Sequence, residues 1–146
     1  MKKTRIFLTA ALLFALDRAT KALWREASFD LIPGVLAFHG TRNTGMAFGW
    51  LPGGTAALAA LTALLIVGIV LFLRRHALPS LGQIGAGLLL GGALGNLFDR
   101  LFLGYVIDFI DPLFARLFVF NIADAGVTVG AALVALAFLL KKEEKN

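Results

Sequence analysis

Residues 55–73 read TAALAALTALLIVGIVLFL, nineteen consecutive residues without a charged side chain. As an α-helix this segment would be about 28 Å long, close to the roughly 30 Å thickness of the hydrocarbon core of a bilayer. Residues 81–98 form a second such run, interrupted only by Gln83 and Asn96, and residues 125–140 form a shorter third run. Each of the three runs predicts a transmembrane helix.

The composition indicates one membrane-embedded domain covering residues 1–146. Of these residues 59% are hydrophobic and 16% are charged, whereas soluble domains are about half apolar and about a quarter charged. The absence of cysteine excludes disulfides and thiolate chemistry. His39 and His76 are isolated from each other in the sequence, so we expect no metal site and no cofactor.

The net charge of +5 does not indicate a nucleic-acid partner. The basic residues form no dense patch, and aromatic residues do not alternate with them as a base-stacking surface would require. We therefore expect no nucleic-acid binding, and membrane topology explains the positive charge better.

The N-terminal segment allows two interpretations. Residues 6–16 are apolar and have the length of a signal-peptide core. However, Asp17 and Arg18 follow directly, with no small-x-small cleavage site between. We therefore predict a retained first helix over about residues 6–24, which gives four spans with the others at about 55–73, 81–100 and 124–140.

The positions of the basic residues predict the orientation. With the N-terminus in the cytoplasm, four spans place Arg74, Arg75 and the lysines of the C-terminal tail on the same side. Cytoplasmic loops of membrane proteins carry an excess of such residues. We therefore expect both termini in the cytoplasm of a bacterial cell and residues 25–54 and 101–123 in two outer loops. Seven of the nine acidic residues lie in these loops or at the adjoining helix ends.

The first outer loop is predicted to form a small β-structured element on the membrane surface. Pro33-Gly34 and the segment 43–45 are turn signals around short apolar stretches. Trp24, Phe48 and Trp50 are placed where interfacial aromatic residues are expected. The predicted fold is thus an all-α integral membrane protein of four transmembrane helices with a small extracytoplasmic β element.

The third predicted span carries two distinct patterns. Gly87, Gly91 and Gly95 recur every four residues, a spacing that lets a neighbouring helix approach closely. At its end, Asn96 and Arg100 share one helical face with Asp99, and three polar groups on one face indicate an inward orientation. Asp99 is expected to be ion-paired, with Arg100 adjacent to it.

The first span carries an i, i+4 pair of opposite charge, Asp17 and Lys21. Pairing makes both charges tolerable near the outer end of the helix. A structural ion pair and a role in catalysis both remain open for these two residues.

Two outer aspartates are candidates for chemistry. Asp108 lies in the apolar run YVIDFI, where an unpaired carboxylate is expensive. Asp124 lies at the start of the last span, where Asn121 is a candidate N-cap, so it can also be a helix-start residue. By contrast, Asp111 precedes Pro112 and is explained by a turn.

Asp108 and Asp124 are both expected at the outer interface. Two carboxylates in a site of low dielectric constant tend to share one proton, which supplies a base for water and an acid for a carbonyl. No Gly-x-Ser-x-Gly motif is present. This combination favours an aspartic hydrolase.

Five blocks of the sequence resemble the lipoprotein signal peptidases, the signal peptidase II family, along nearly the whole chain. They occur in the order found in the family, each at the predicted outer end of a span. The blocks are DRATK (17–21), RNTGMAFG (42–49), GGALGNLFDR (91–100), GYVIDF (104–109) and FNIAD (120–124).

The resemblance implies an aspartic protease of the bacterial inner membrane that removes signal peptides from prolipoproteins. Cleavage would fall before a cysteine that already carries diacylglycerol, so the implied partners are lipid-modified prolipoproteins and membrane lipid. It implies Asp108 and Asp124 as catalytic residues. The implied supporting or substrate-binding residues are Asn43, Gly45, Asn96, Arg100, Asn121, Asp17 and Lys21.

Two other classes of function compete with this interpretation. A small proton-coupled transporter would use intramembrane acids as a relay, with acids near the bilayer midplane. A non-catalytic assembly factor would use the glycine stripe for helix association.

Overall fold

In a computed structural model the chain folds into four helices and three short strands. The structure describes residues 3–45, 54–114 and 118–143, without the side chains of residues 141–143. Helices cover all four of the apolar segments noted above. In chain order the elements are α1 (Thr4–Trp24), β1 (Ser28–Ile32), β2 (Leu36–Asn43), α2 (Thr55–Arg75), α3 (Ser80–Phe102), β3 (Val106–Asp111) and α4 (Ile122–Glu143).

Three of the helices are long and apolar enough to cross a membrane: α2, α3 and the Ile122–Leu140 part of α4. On α2 the side chains of Leu61 and Leu64 remain 59% and 69% exposed to the surroundings of the protein. Apolar surface on this scale is stable where the solvent is lipid. Helix α1 has comparable length, 21 residues, but contains charged residues near both ends.

Helix α3 lies between α1 and α4 and contacts both through glycines. A β-carbon added to Gly91 would lie 2.6 Å from the carbonyl oxygen of Ala10 on α1, and one added to Gly92 would overlap the carbonyl oxygen of Ala123 on α4. Side chains at these positions would force the helices apart. The predicted packing role of the glycine stripe is thereby confirmed, and glycines on a second face of α3 extend it to α4.

The strands form one antiparallel sheet in the order β1-β2-β3. The predicted turn at Pro33-Gly34 joins β1 to β2, with Gly34 at a φ of 73°. The expected β element thus occurs, but its third strand comes from the segment between α3 and α4, for which the sequence analysis predicted no strand. In the β2–β3 ladder Thr41 faces Asp108 and Asn43 faces Val106.

A chain of aromatic contacts fixes the sheet to the end of α1. The ring of Trp24 lies 4.8 Å from that of Phe38 on β2, and Phe38 lies 5.9 Å from Phe109 on β3, between centroids. Trp24, expected at the membrane interface, therefore also packs on the sheet. Phe48 and Trp50 lie outside the described residues.

Candidate active site

Asp108 is held on β3 by two amide groups. The strand places its side chain on the buried face, where the residue is 3% exposed. Oδ1 accepts a hydrogen bond of 2.7 Å from Nδ2 of Asn121, and Oδ2 accepts one of 2.8 Å from Nδ2 of Asn43. Neither partner carries a positive charge. The carboxylate in this apolar run is thus hydrogen-bonded, but no described cation contacts it to compensate its charge.

Asn43 reaches Asp108 because of the register between β2 and β3. Thr41 is directly opposite Asp108, so Asn43, two residues further along β2, is its diagonal neighbour on the same face. The main-chain N–H of Gly45 donates to Oδ1 of Asn43 at 2.9 Å. Gly45 therefore holds the asparagine amide with its N–H groups directed toward Asp108.

Asp124 lies in the first turn of α4 and forms a reciprocal cap with Asn121. The N–H of Asp124 donates to Oδ1 of Asn121 at 2.9 Å, and the N–H of Asn121 donates to Oδ2 of Asp124 at 3.2 Å. Such a capping box satisfies two free N–H groups at a helix start. The predicted N-cap role of Asn121 is confirmed, and the box fixes the rotamer of Asp124.

Two asparagines connect the two aspartates. Asn121 donates to Asp108 through its side chain and to Asp124 through its main chain. Nδ2 of Asn96 donates to Oδ1 of Asp124 at 2.7 Å, and Oδ1 of Asn96 accepts from Nδ2 of Asn121 at 3.2 Å. The structure therefore brings both candidate aspartates, from β3 and α4, into one hydrogen-bonded network with α3.

Burial raises the pKa of Asp108 to about 6, and the negative charge of Asp124 adds to the rise. Hydrogen bonds from Asn43 and Asn121 oppose the shift without abolishing it. A carboxyl group with this pKa can take up and release a proton near neutral pH. The geometric link between the two carboxylates is Asn121, which donates a hydrogen bond to each of them.

Beneath the network lies a buried cluster of four charged side chains from α1 and α3. Nζ of Lys21 lies 3.1 Å from Oδ2 of Asp17 and 2.8 Å from Oδ2 of Asp99. Arg18 bridges the same two carboxylates at 2.7 Å and 2.5 Å. The expected Asp17–Lys21 ion pair is confirmed, and the four formal charges sum to zero.

Each carboxylate of this cluster also accepts a hydrogen bond from the main-chain N–H of the residue just before one of the candidate aspartates. Oδ1 of Asp17 accepts from the N–H of Ala123 at 3.1 Å, and Oδ2 of Asp99 accepts from the N–H of Ile107 at 3.2 Å. Lys21 in turn donates to Oδ1 of Asn96 at 2.9 Å. The cluster therefore fixes the backbone beside both Asp124 and Asp108.

The sequence matches the signal peptidase (SPase) II family over residues 9–140. The chain belongs to this family. It is 41% identical to the lipoprotein signal peptidase of Syntrophomonas wolfei subsp. wolfei, over 92% of this chain and 94% of that protein. It is 37% identical to the lipoprotein signal peptidase of Trichormus variabilis, over 99% of this chain and 96% of that protein.

Solved structures agree with the family assignment. One is described as a bacterial membrane enzyme structure by the in meso method at 2.3 Å resolution. It is 32% identical in sequence to this chain, with a TM-score of 0.87, and the match covers 97% of this chain and 91% of that chain. A second structure with the same description, at 1.9 Å resolution, is 33% identical in sequence, with a TM-score of 0.81, and the match covers 92% of each chain. This signal peptidase II family member is therefore an integral membrane protein and an enzyme.

Asp99 is ion-paired in this signal peptidase, as expected, but the identity of its partners needs correction. Asp99 pairs with Arg18 and Lys21 of α1 and not with the adjacent Arg100. Arg100 instead lies half-buried, and its charge acts on the carboxylates of Asp124 and Asp108 as well as on Asp99. The i, i+3, i+4 spacing thus placed Asn96, Asp99 and Arg100 near the site but did not determine their partners.

Asp111 is the other correction. It is the last residue of β3, where its Oδ2 lies 2.9 Å from Nδ1 of His39 on the neighbouring strand. The sequence explained Asp111 by a turn alone, because the contact with His39 depends on a strand pairing between two loops. Within the described ranges no group of three or more histidine and acidic side chains could hold a metal ion.

Proposed function

We propose that this chain is an aspartic endopeptidase that removes signal peptides from prolipoproteins whose cysteine carries diacylglycerol, cutting before that cysteine. Membership of the signal peptidase II family supports this assignment, as do relatives named lipoprotein signal peptidase. The observation that carries the catalytic part is the linkage of Asp108 to Asp124 through Asn121.

In the proposed mechanism Asp108 and Asp124 hold a water molecule and one proton between them. The ionised carboxylate accepts a proton from water, and the protonated one donates a hydrogen bond to the scissile carbonyl. The raised pKa of Asp108, about 6, supports a shared proton. Because the two groups are coupled, the proton belongs to the pair rather than to one residue.

The supporting residues have separable roles in this proposal. Asn43, Gly45 and Asn121 orient Asp108, whereas Asn96 orients Asp124. Arg100 carries a positive charge that acts on both aspartates without an ion pair to a described residue. We assign it to stabilising the negative charge that develops on the substrate.

For the membrane arrangement we propose four spans, at about residues 6–24, 55–73, 81–100 and 124–140, in one domain of residues 1–146. The charges near the outer end of α1 are compatible with a span because Asp17, Arg18 and Lys21 are balanced by Asp99 inside the bundle. Both termini then lie in the cytoplasm of a bacterium, and the site lies at the outer face of the inner membrane.

This arrangement suits a substrate that is itself anchored in the membrane. Acyl chains on the cysteine and an apolar signal segment hold the scissile bond at the membrane surface. The sheet that carries Asp108 also presents exposed apolar side chains at its other edge, including Leu31 and Ile32 of β1. We propose that the peptide crosses the aspartates while the acyl chains stay partly in the bilayer.

The position of the acids distinguishes this proposal from a proton-coupled transporter. Asp17, Asp99, Asp108 and Asp124 are joined in one network at a single end of the bundle. A relay across the membrane would need acids at several depths.

Cleavage of matched substrates tests the proposed substrate class. Purified protein in detergent should cleave a prolipoprotein whose cysteine carries diacylglycerol and leave the same prolipoprotein intact when that lipid is absent. Mass spectrometry of the products should place the cut before the lipidated cysteine. Equal cleavage of both forms would refute the requirement for lipid, and cleavage elsewhere would refute the assigned bond.

A further inference from the structure

A cavity lies at the opposite end of the bundle from the aspartates. It has a volume of about 220 Å³ and is lined by residues from the beginning of α1, the end of α2 and the beginning of α3, among them Lys3, Arg74, Arg75, His76 and Gln83. Along α3, Gln83 is separated from Asn96 by about 20 Å at ~1.5 Å per residue. The cavity is therefore distinct from the candidate active site.

The described lining of this cavity is strongly basic, and none of its residues carries a carboxylate. The ammonium group of Lys3 donates to the carbonyl oxygen of Leu73, and His76 stacks on Phe72 with 4.4 Å between ring centroids. The guanidinium groups of Arg74 and Arg75, in contrast, have no ion-pair or hydrogen-bond partner among the described residues. Two unpaired guanidinium groups beside a cavity are suited to bidentate binding of a phosphate.

An apolar groove begins where the basic cavity ends. Lys3 lines both of them, and the groove continues along the outer face of α1 past Phe7, Leu8 and Ala11. Phe7 and Leu8 are 67% and 58% exposed. A basic cavity continuous with an exposed apolar groove matches a molecule with an anionic head and a hydrocarbon chain.

The floor of the cavity contains an unsatisfied acceptor. Gln83 is 5% exposed, its Nε2 donates to the carbonyl oxygen of Leu78, and its Oε1 has no hydrogen-bond partner. Buried polar atoms are rarely left in this state. A hydroxyl group on the ligand would supply the missing donor, whereas an ammonium group would be repelled by the cations around it.

We propose that this cavity and groove bind an anionic phospholipid with a hydroxylated head group. Its phosphate contacts Arg74 and Arg75, a head-group hydroxyl donates to Gln83, and one acyl chain lies along Phe7 and Leu8. The bound lipid joins α1, α2 and α3 at the end of the bundle that lacks the sheet. Basic pockets between membrane helices are known to hold anionic head groups.

Native mass spectrometry of the protein in an uncharged detergent tests the proposal. Titration with phosphatidylglycerol should show one saturable lipid, and phosphatidylethanolamine should bind more weakly. The double variant R74Q/R75Q should lower the affinity for phosphatidylglycerol at least about tenfold, because charge-assisted bidentate contacts are lost. Its cleavage of a detergent-soluble substrate should be unchanged, which shows that the variant is folded.

Two further variants distinguish a specific lipid site from a general effect of surface charge. Arg5→Gln removes a positive charge from the same end of α1, where Arg5 donates to Ser80 outside the cavity lining, and should leave lipid affinity within about twofold because only charge screening changes. Ala11→Trp obstructs the groove and should weaken phosphatidylglycerol binding although every cation remains. Equal losses for R5Q and R74Q/R75Q would reduce the effect to general surface charge and overturn the proposal. Displacement of the lipid by inorganic phosphate, together with an unaffected Ala11→Trp variant, would indicate a site for free phosphate and would also overturn it.

Discussion

The buried aspartates of this protein fall into two kinds, according to what holds their carboxylates. Asp17 and Asp99 contact Arg18 and Lys21, so their negative charges are compensated directly. Asp108 is held by two asparagine amides that supply hydrogen bonds but no charge. Burial therefore raises the pKa of Asp108 to about 6 and leaves a carboxyl group that can exchange a proton near neutral pH.

The raised pKa of Asp108 predicts a pH-dependent stability difference. An acid that binds its proton more tightly in the folded state stabilises the fold at low pH, and this contribution is lost as pH rises through about 6. Asp108→Asn removes the buried charge. Between pH 4.5 and pH 7.5 the variant should therefore gain stability relative to the wild type by on the order of 1–3 kcal/mol, since one pKa unit corresponds to about 1.4 kcal/mol.

Thermal unfolding of the wild type and of Asp108→Asn, followed at pH 4.5 and at pH 7.5, measures this effect. The Tm of the variant relative to that of the wild type should be higher at pH 7.5 than at pH 4.5. A Tm difference that is the same at both pH values would show that the pKa of Asp108 is not raised.

The sequence indicated which residues are candidates for the site, but it did not indicate all of the contacts that they make. Asp108 stands out because it interrupts an apolar run, and Asn121 because an asparagine three residues before an acid is a local capping pattern. The partnership of Arg18 with Asp99 joins residues 81 positions apart. No local spacing rule applies over that distance, so the adjacent Arg100 was the natural but incorrect partner for Asp99.

At the scale of elements, the site depends on one strand that the sequence did not reveal. The segment that forms β3 is a short apolar run inside a loop, and periodicity alone does not distinguish such a run from irregular structure. It becomes a strand because β2, from the segment between α1 and α2, supplies its hydrogen bonds. The glycine stripe, in contrast, was predictable because its spacing is encoded within one helix.

The charged cluster between α1 and α3 predicts a positioning effect on catalysis. Asp99→Asn weakens the contact with the N–H of Ile107, next to Asp108, and leaves Arg18 and Lys21 with less compensation. We expect kcat to fall by about tenfold or more while KM changes little, because the aspartate is misplaced. The free energy of unfolding should also fall, by about 3 kcal/mol or more.

Steady-state kinetics with a lipid-modified prolipoprotein, combined with thermal unfolding, separates these effects. Glu26→Gln is the matched control, because Glu26 forms an exposed ion pair with Arg25 whose side chains are 79% and 63% accessible. Exposed pairs contribute little, so this variant should behave as the wild type. An Asp99→Asn enzyme with unchanged kcat below its Tm would remove the positioning role.

For the whole molecule, the central structural proposal is that α1 is a fourth span. Its apolar length is sufficient, and its outer charges are neutralised inside the bundle by Asp99. The sequence predicted four spans, but among the described helices length and hydropathy alone support three of them. The fourth required an account of where Asp17 and Lys21 find partners, and hydropathy does not contain that information.

The absence of cysteine from the chain makes the topology directly testable. Single cysteines at Phe114, in the second outer loop, and at His76, between α2 and α3, should react differently with a membrane-impermeant maleimide. Both residues are exposed in the structure. In intact spheroplasts Phe114→Cys should be labelled and His76→Cys protected until the membrane is opened, and the reverse pattern would invert the proposed orientation.

The most direct test of the proposed chemistry is the cleavage rate of three single variants that differ only in which aspartate becomes asparagine. Asp108→Asn and Asp124→Asn should each lower kcat by a factor of about 100 to 10,000, the usual contribution of a positioned acid or base. Asp111→Asn, on the same strand as Asp108 but paired with His39, should retain near wild-type kcat. Substantial cleavage by a folded Asp108→Asn or Asp124→Asn enzyme would contradict the two-aspartate mechanism.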